Sequence, residues 1–164
     1  MKKIYLIISF LMLICINGCA GYEPIFSSSN LQFKITDYVI KGDKKLGNQI
    51  YSKLYNLSKY NESNSASKSI YISIDISKEK KSTAKNSAGK ILEYKISINS
   101  SIEIKDFLTN NAILNHNITS FSSYKVQDQY SETVKLENRT LENLLNKVYQ
   151  ELIIQMSSNM LNWW

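Results

Sequence analysis

The clearest pattern in this chain is a strict alternation of isoleucines. Ile70, Ile72, Ile74 and Ile76 fall on one side of an extended segment, and Tyr71, Ser73 and Asp75 on the other. Successive side chains point to opposite faces of a strand, so residues 69–77 are predicted to form a strand with one wet side. A longer run follows, with Leu92, Tyr94, Ile96, Ile98, Ile102 and Ile104 set against Glu93, Lys95, Ser97, Asn99, Glu103 and Lys105. Ahead of both, Leu31, Phe33 and Ile35 share a face with Val39, which predicts a first strand over about 31–40. Residues 112–125 alternate more weakly and are expected to form a bulged fourth strand.

Two stretches keep a different period. Leu46, Ile50, Leu54 and Leu57 recur at i, i+4, i+8 and i+11, the stripe of a helix over 44–59. Asp43 stands where a helix cap belongs, and Gly47 is the weak point of the segment. Tyr130, Val134, Leu141, Leu145, Val148, Leu152 and Met156 predict a second helix over about 131–161, about 46 Å long. Lys41-Gly42-Asp43 and Asp106 to Asn111 read as turns, and 61–68 and Lys78 to Lys90 as polar loops. The order is therefore β-α-β-β-β-α, its three adjacent strands forming an antiparallel meander. Each helix lays its apolar stripe on the isoleucine side of the sheet. The expected fold class is α+β, a two-layer sandwich of a four-stranded sheet with two helices on one face.

The N-terminus follows neither period. Met1-Lys2-Lys3 is followed by an almost wholly apolar run from Ile4 to Ile16. That is too short to span a bilayer core, which takes about 20 residues, and has the length of an export-signal core. It ends in Ile16-Asn17-Gly18-Cys19, with a branched apolar residue at −3 and glycine at −1 of a cleavage point before cysteine. This resembles the lipobox of bacterial lipoproteins, in which the cysteine thiol carries a diacylglyceryl group and the freed amine is acylated. Several acyl chains anchor stably where one would be marginal. Residues 1–18 are thus expected to be a signal peptide, 19–30 a lipidated tether and 31–164 a single domain, with Cys19 as the lipidation site. Ala20 stands after the cysteine rather than the Asp that retains such proteins at the inner membrane in enteric-type bacteria. The expected location is the outer membrane, with the domain facing the periplasm.

Charge and candidate chemistry narrow the function classes. Loss of Lys2 and Lys3 and no acid lowers the formal charge of +6 by two, to +4. That is far from the clustered basic face of a nucleic-acid binder, so no nucleic-acid partner is expected. The second cysteine, Cys15, leaves with the signal, so the folded body has neither a disulfide nor a catalytic thiol. His116 is the lone histidine and has no cysteine or second histidine to complete a metal site or triad. Neither a Gly-rich phosphate loop nor a Gly-x-Ser-x-Gly turn occurs, so no enzyme and no cofactor is expected. Lys78, Lys80, Lys81, Lys85 and Lys90 cluster in the predicted loop. A cationic hairpin tip suits lipid phosphates, and a solvated loop of a Lys-rich chain looks the same. Trp163-Trp164 read equally as a docking pair or a frayed tail.

Three stretches carry a resemblance to a known family. They are Cys19-Ala20-Gly21-Tyr22-Glu23-Pro24-Ile25-Phe26, Ala88-Gly89-Lys90-Ile91-Leu92-Glu93-Tyr94-Lys95-Ile96, and Ser123-Tyr124-Lys125 with Asp128, Tyr130 and the long helix behind them. Together with the element order they resemble the LPS-assembly lipoprotein LptE family of Gram-negative bacteria, over most of the mature chain. The last helix departs from the family's small residues at Leu136, Asn138 and Asn143. The resemblance implies two helices on a four-stranded sheet, seated as a plug in the outer-membrane β-barrel LptD. It also implies a role in barrel assembly and lipopolysaccharide delivery, with lipopolysaccharide phosphates as a ligand for the lysines. The alternative is an accessory lipoprotein of another envelope assembly machine, or a lipid- or peptidoglycan-binding module.

Overall fold

A computed structural model describes residues 31–60 and 68–161. The expectations for the signal peptide, Cys19, the tether and Trp163-Trp164 lie outside these residues. Along the chain run β1 (Phe33–Gly42), α1 (Lys44–Tyr60), β2 (Lys68–Lys85), β3 (Ile91–Asp106), β4 (Ala112–Lys125) and α2 (Tyr130–Leu161). The order is the predicted β-α-β-β-β-α, and the four strands form one mixed sheet in the order β1-β2-β3-β4. β2, β3 and β4 are the expected antiparallel meander, while β1 runs parallel to β2. Parallel neighbours need a crossover, and α1 supplies it.

The isoleucine ladder holds the two layers together. Ile72 pairs with Ile104, and Ile74 with Ile102, which pairs in turn with His116 on β4. Ile70, Ile72, Ile74 and Ile76 on β2 and Ile96, Ile98, Ile102 and Ile104 on β3 are all fully buried. Leu46, Ile50 and Leu54 from α1, and Leu144, Leu145, Val148, Leu152 and Met156 from α2, close over the same face in one cluster. Both helices therefore lie on one side of the sheet. Ser100 interrupts the ladder between Ile76 and Ile118. It is buried, and its hydroxyl has no hydrogen-bond partner among the described residues.

The β1–α1 corner shows how local chemistry sets the frame. Gly42 has φ +72°, and a Cβ there would strike the Ile76 carbonyl oxygen. Asp43 N donates to that carbonyl at 2.7 Å, and Asp43 Oδ1 accepts from Lys45 N and Leu46 N, each at 3.1 Å. This is the expected N-cap.

Two expectations are corrected. Val39 does not share a face with Leu31, Phe33 and Ile35. The register slips between Ile35 and Asp37, so Thr36 is an extra residue and the alternation reverses. Tyr38 and Ile40 then pair with Ile72 and Ile74, and Val39 with Ser73. Likewise Lys78 to Lys90 is not a loop. β2 continues to Lys85, paired with β3 apart from irregularities at Thr83 and Leu92, and only the Asn86–Lys90 turn separates them. The bulge expected in β4 is found near its start, where Ile104 pairs with Leu114 and Lys105 with Ala112.

Candidate functional site

Beyond Gly42 the sheet loses β1, and β2 and β3 run on with β4 as a three-stranded arm. The candidate lysines sit on this arm, which divides them between its faces. Lys80 pairs with Ile96 on the helix-bearing face. There its ammonium donates to Glu137 of α2 and lies 4.3 Å from the Tyr94 ring and 5.7 Å from the Tyr124 ring. Tyr124 Oη donates to the same Glu137 carboxylate at 2.8 Å. Partial burial works against both charges here, but the shared hydrogen bonds outweigh it. They raise Lys80 above the ordinary lysine range and hold Glu137 below the ordinary carboxylate value.

The other lysines are placed differently. Lys78, on the same face as Lys80, reaches the rim of a groove of about 770 Å³ between α1 and α2. Leu46, Leu141 and Leu145 also line that groove, together with Lys45, Lys53, Glu137 and Glu142. Lys53 donates to Asn146 of α2 and lies 5.6 Å from the Tyr149 ring. Lys81 points to the opposite side of the sheet and pairs with Glu79 at 2.7 Å. Lys85 and Lys90 stand at the end of the arm. There Asn86 Oδ1 accepts from Ala88 N at 3.1 Å and Lys90 N at 2.9 Å, and Gly89 adopts φ +80°. Lys90 and Lys80 line a second hollow of about 310 Å³ with Tyr94, Tyr130 and Glu137. The five lysines therefore form no single site: Lys80 and Lys90 share a hollow, while Lys78, Lys81 and Lys85 stand apart from it.

Sequence reasoning missed the partners that make this region specific. Glu137 belongs to a helix read for its apolar stripe alone, and nothing local links it to Lys80, 57 residues away in the chain. It also missed a row of stacked tyrosines, Tyr38–Tyr51 at 3.9 Å and Tyr51–Tyr55 at 5.9 Å. The i, i+4 spacing of Tyr51 and Tyr55 was visible, but Tyr38 joins them only because of the Thr36 bulge. His116 faces α2, with Nε2 3.4 Å from the Glu151 carboxylate. Among the described residues no group of three or more His, Cys, Asp or Glu is placed to hold a metal. No helix among them is long and apolar enough to cross a membrane.

Comparison with known proteins places the fold. No protein-family profile matches the chain, and no curated protein sequence matches it. Solved structures do. Rare lipoprotein B from Shewanella oneidensis is 13% identical with a TM-score of 0.55, over 77% of this chain and 98% of that one. Lipoprotein B from Nitrosomonas europaea is 17% identical with a TM-score of 0.55, over 81% and 88%. A minor lipoprotein from Acinetobacter baumannii is 16% identical with a TM-score of 0.52, over 78% and 95%. The two helices on a four-stranded sheet described above are a fold that this chain shares with lipoproteins of several bacteria.

Proposed function

We propose that this chain is a lipid-anchored outer-membrane protein that acts without catalysis as the plug subunit of the β-barrel LptD, aiding its assembly and the passage of lipopolysaccharide to the outer leaflet. The observation that carries this reading is the division of the sheet into two unlike faces. One is sealed by both helices. No described residue covers the other, and Asp75, Ser77, Asn99, Ser101, Asn117, Thr119 and Ser123 stand exposed on it, with the Phe121 ring among them under the Lys95 ammonium. A domain enclosed by a barrel needs such a surface, because barrel interiors are polar. The fold is also the one that the resemblance to the LPS-assembly lipoproteins implies. Lys78, Lys85 and Lys90 stay exposed for phosphate groups, whereas Lys80 is committed to Glu137.

The test is affinity capture of the tagged full-length protein in mild detergent, with mass spectrometry, beside depletion of the protein in its own host. Recovery of a large outer-membrane barrel, with less assembled barrel and less surface lipopolysaccharide on depletion, supports the proposal. Capture of peptidoglycan enzymes without a barrel, with surface lipopolysaccharide unchanged, overturns it.

A further inference from the structure

The two ends of the sheet differ in character. The Asn86–Lys90 end is cationic. At the other end the turn between β3 and β4 shows Phe107 and Leu108 to solvent, 45% and 85% exposed, and Leu108 is the most exposed large apolar side chain among the described residues. This turn is braced. Asp106 Oδ1 accepts from Leu108 N and Thr109 N, each at 2.8 Å. Asp106 N donates to Asn111 O at 2.9 Å, and Asn110 N to Asp106 O at 2.9 Å, with Asn110 at φ 59°. Phe107 N donates to Ser69 O at 3.0 Å, which fixes the turn to the first residues of β2. Leu108 is thus held outward by a rigid frame.

The same end receives the chain from its N-terminus. Lys68 N donates to Gln32 O at 3.4 Å, one residue from the Ser69 carbonyl that holds Phe107. Gln32 and Phe107 therefore flank the start of β2, about two strand spacings or 10 Å apart. Residues 19–30, fully extended, reach at most about 40 Å from this point. The Asn86–Lys90 end lies about 50 Å further off along β3.

We infer that the β3–β4 turn dips Phe107 and Leu108 into the surface of the lipid bilayer beside the anchor, so that the domain meets the membrane at a second point. This rests on the reading of Cys19 as lipidated and on the proposed plug leaving this end of the domain outside the barrel wall. Apolar side chains of this size bury at the boundary between headgroups and acyl chains. Two of them bind weakly alone, but an acylated cysteine a few tens of ångströms away keeps the turn at high effective concentration over the bilayer. The lipid thus holds the protein and the turn sets its orientation.

With Cys19 acylated, the mature chain offers no other thiol, so a single introduced cysteine can be labelled cleanly. Full-length lipidated protein carrying Leu108→Cys, or Ser101→Cys on the open sheet face, is labelled with an environment-sensitive fluorophore. It is then mixed with vesicles of phosphatidylethanolamine and phosphatidylglycerol. Expected are a blue shift and quenching by lipid-borne quencher at position 108, several-fold stronger than at 101. A chain that floats with the vesicles while position 108 stays open to an aqueous quencher overturns the inference and leaves the anchor standing. Failure to float at all overturns both. Protection at position 108 that appears only when the barrel is added, and not with vesicles, makes the turn a barrel contact and also overturns the inference.

Discussion

A methyl group at position 47 would have to occupy the space that the Ile40 Cγ2 methyl already fills. Alanine is the better helix former by about 1 kcal/mol, yet overpacking of this kind costs about 1–3 kcal/mol. Gly47→Ala is therefore expected to lower stability, by about 1 kcal/mol in urea unfolding; a gain would mean that β1 yields freely at Ile40. Ser100 presents the opposite case. Its buried hydroxyl lacks a partner among the described residues, so Ser100→Ala is expected to be neutral or to stabilise by up to about 1 kcal/mol, read as an unchanged or raised Tm. The Lys80–Glu137 pair adds a pH dependence. Glu137 is held below its ordinary 4.5, so its contribution is fully present above that value and is lost as pH falls through the depressed one. Lys80→Met should cost about 1 kcal/mol at neutral pH, little because both groups are partly solvated. It should also flatten the acid limb of stability against pH, and an acid limb as steep as in the unmodified protein would remove the pair from that account.

At the scale of elements, what the sequence revealed and what it hid have separate causes. Both helices and the paired runs on β2 and β3 were legible because burial on one side leaves a period. Asp43 was legible as a cap because the chemistry is local. The Thr36 bulge was hidden because apolar residues stand at both Val39 and Ile40, so either parity gives a plausible strand. The outer half of β2 was hidden for another reason. From Ser77 to Lys85 little is buried on either face, and it is kept extended chiefly by backbone pairing with β3, with Lys80 tied to Glu137 as its one hydrogen-bonded link to α2 among the described residues. Backbone pairing with a distant segment leaves no mark on side-chain pattern. The lysines, conspicuous as a cluster, could not be divided between faces until that register was known. Removal of Thr36 tests the bulge. The deletion would leave a regular strand that keeps Tyr38 and Ile40 on the helix side and Val39 opposite Ser73. The expected change in stability is about 1 kcal/mol or less, with the near-ultraviolet signal of the tyrosine row retained. A loss of about 3 kcal/mol or more, of the order of emptying one large core position, with that signal gone, would show that Thr36 is not an extra residue.

At the scale of the whole molecule, the proposed role depends on Cys19. Cys19→Ser is expected to give a precursor that incorporates no labelled fatty acid; normal labelling of that variant would remove the anchor and the orientation argued from it. The strand nearest the proposed anchor in sequence is also the one with the least local support. β2, β3 and β4 are joined by short turns, so they can zip into place one hairpin at a time, and α2 folds back on them from β4. β1 has no such route. It is parallel to β2, and its seat exists only once β2 is paired and α1 has crossed over. Non-local pairing of this kind comes late, because chain closure must precede any contact that rewards it. The part of the chain made first is therefore the part that settles last. Kinetics would show this as an Ile40→Val variant that speeds unfolding and leaves the folding rate unchanged, while Ile98→Val slows folding. If Cys19 carries the proposed lipid, the segment joined to it would wait for the rest of the domain to fold before it could dock.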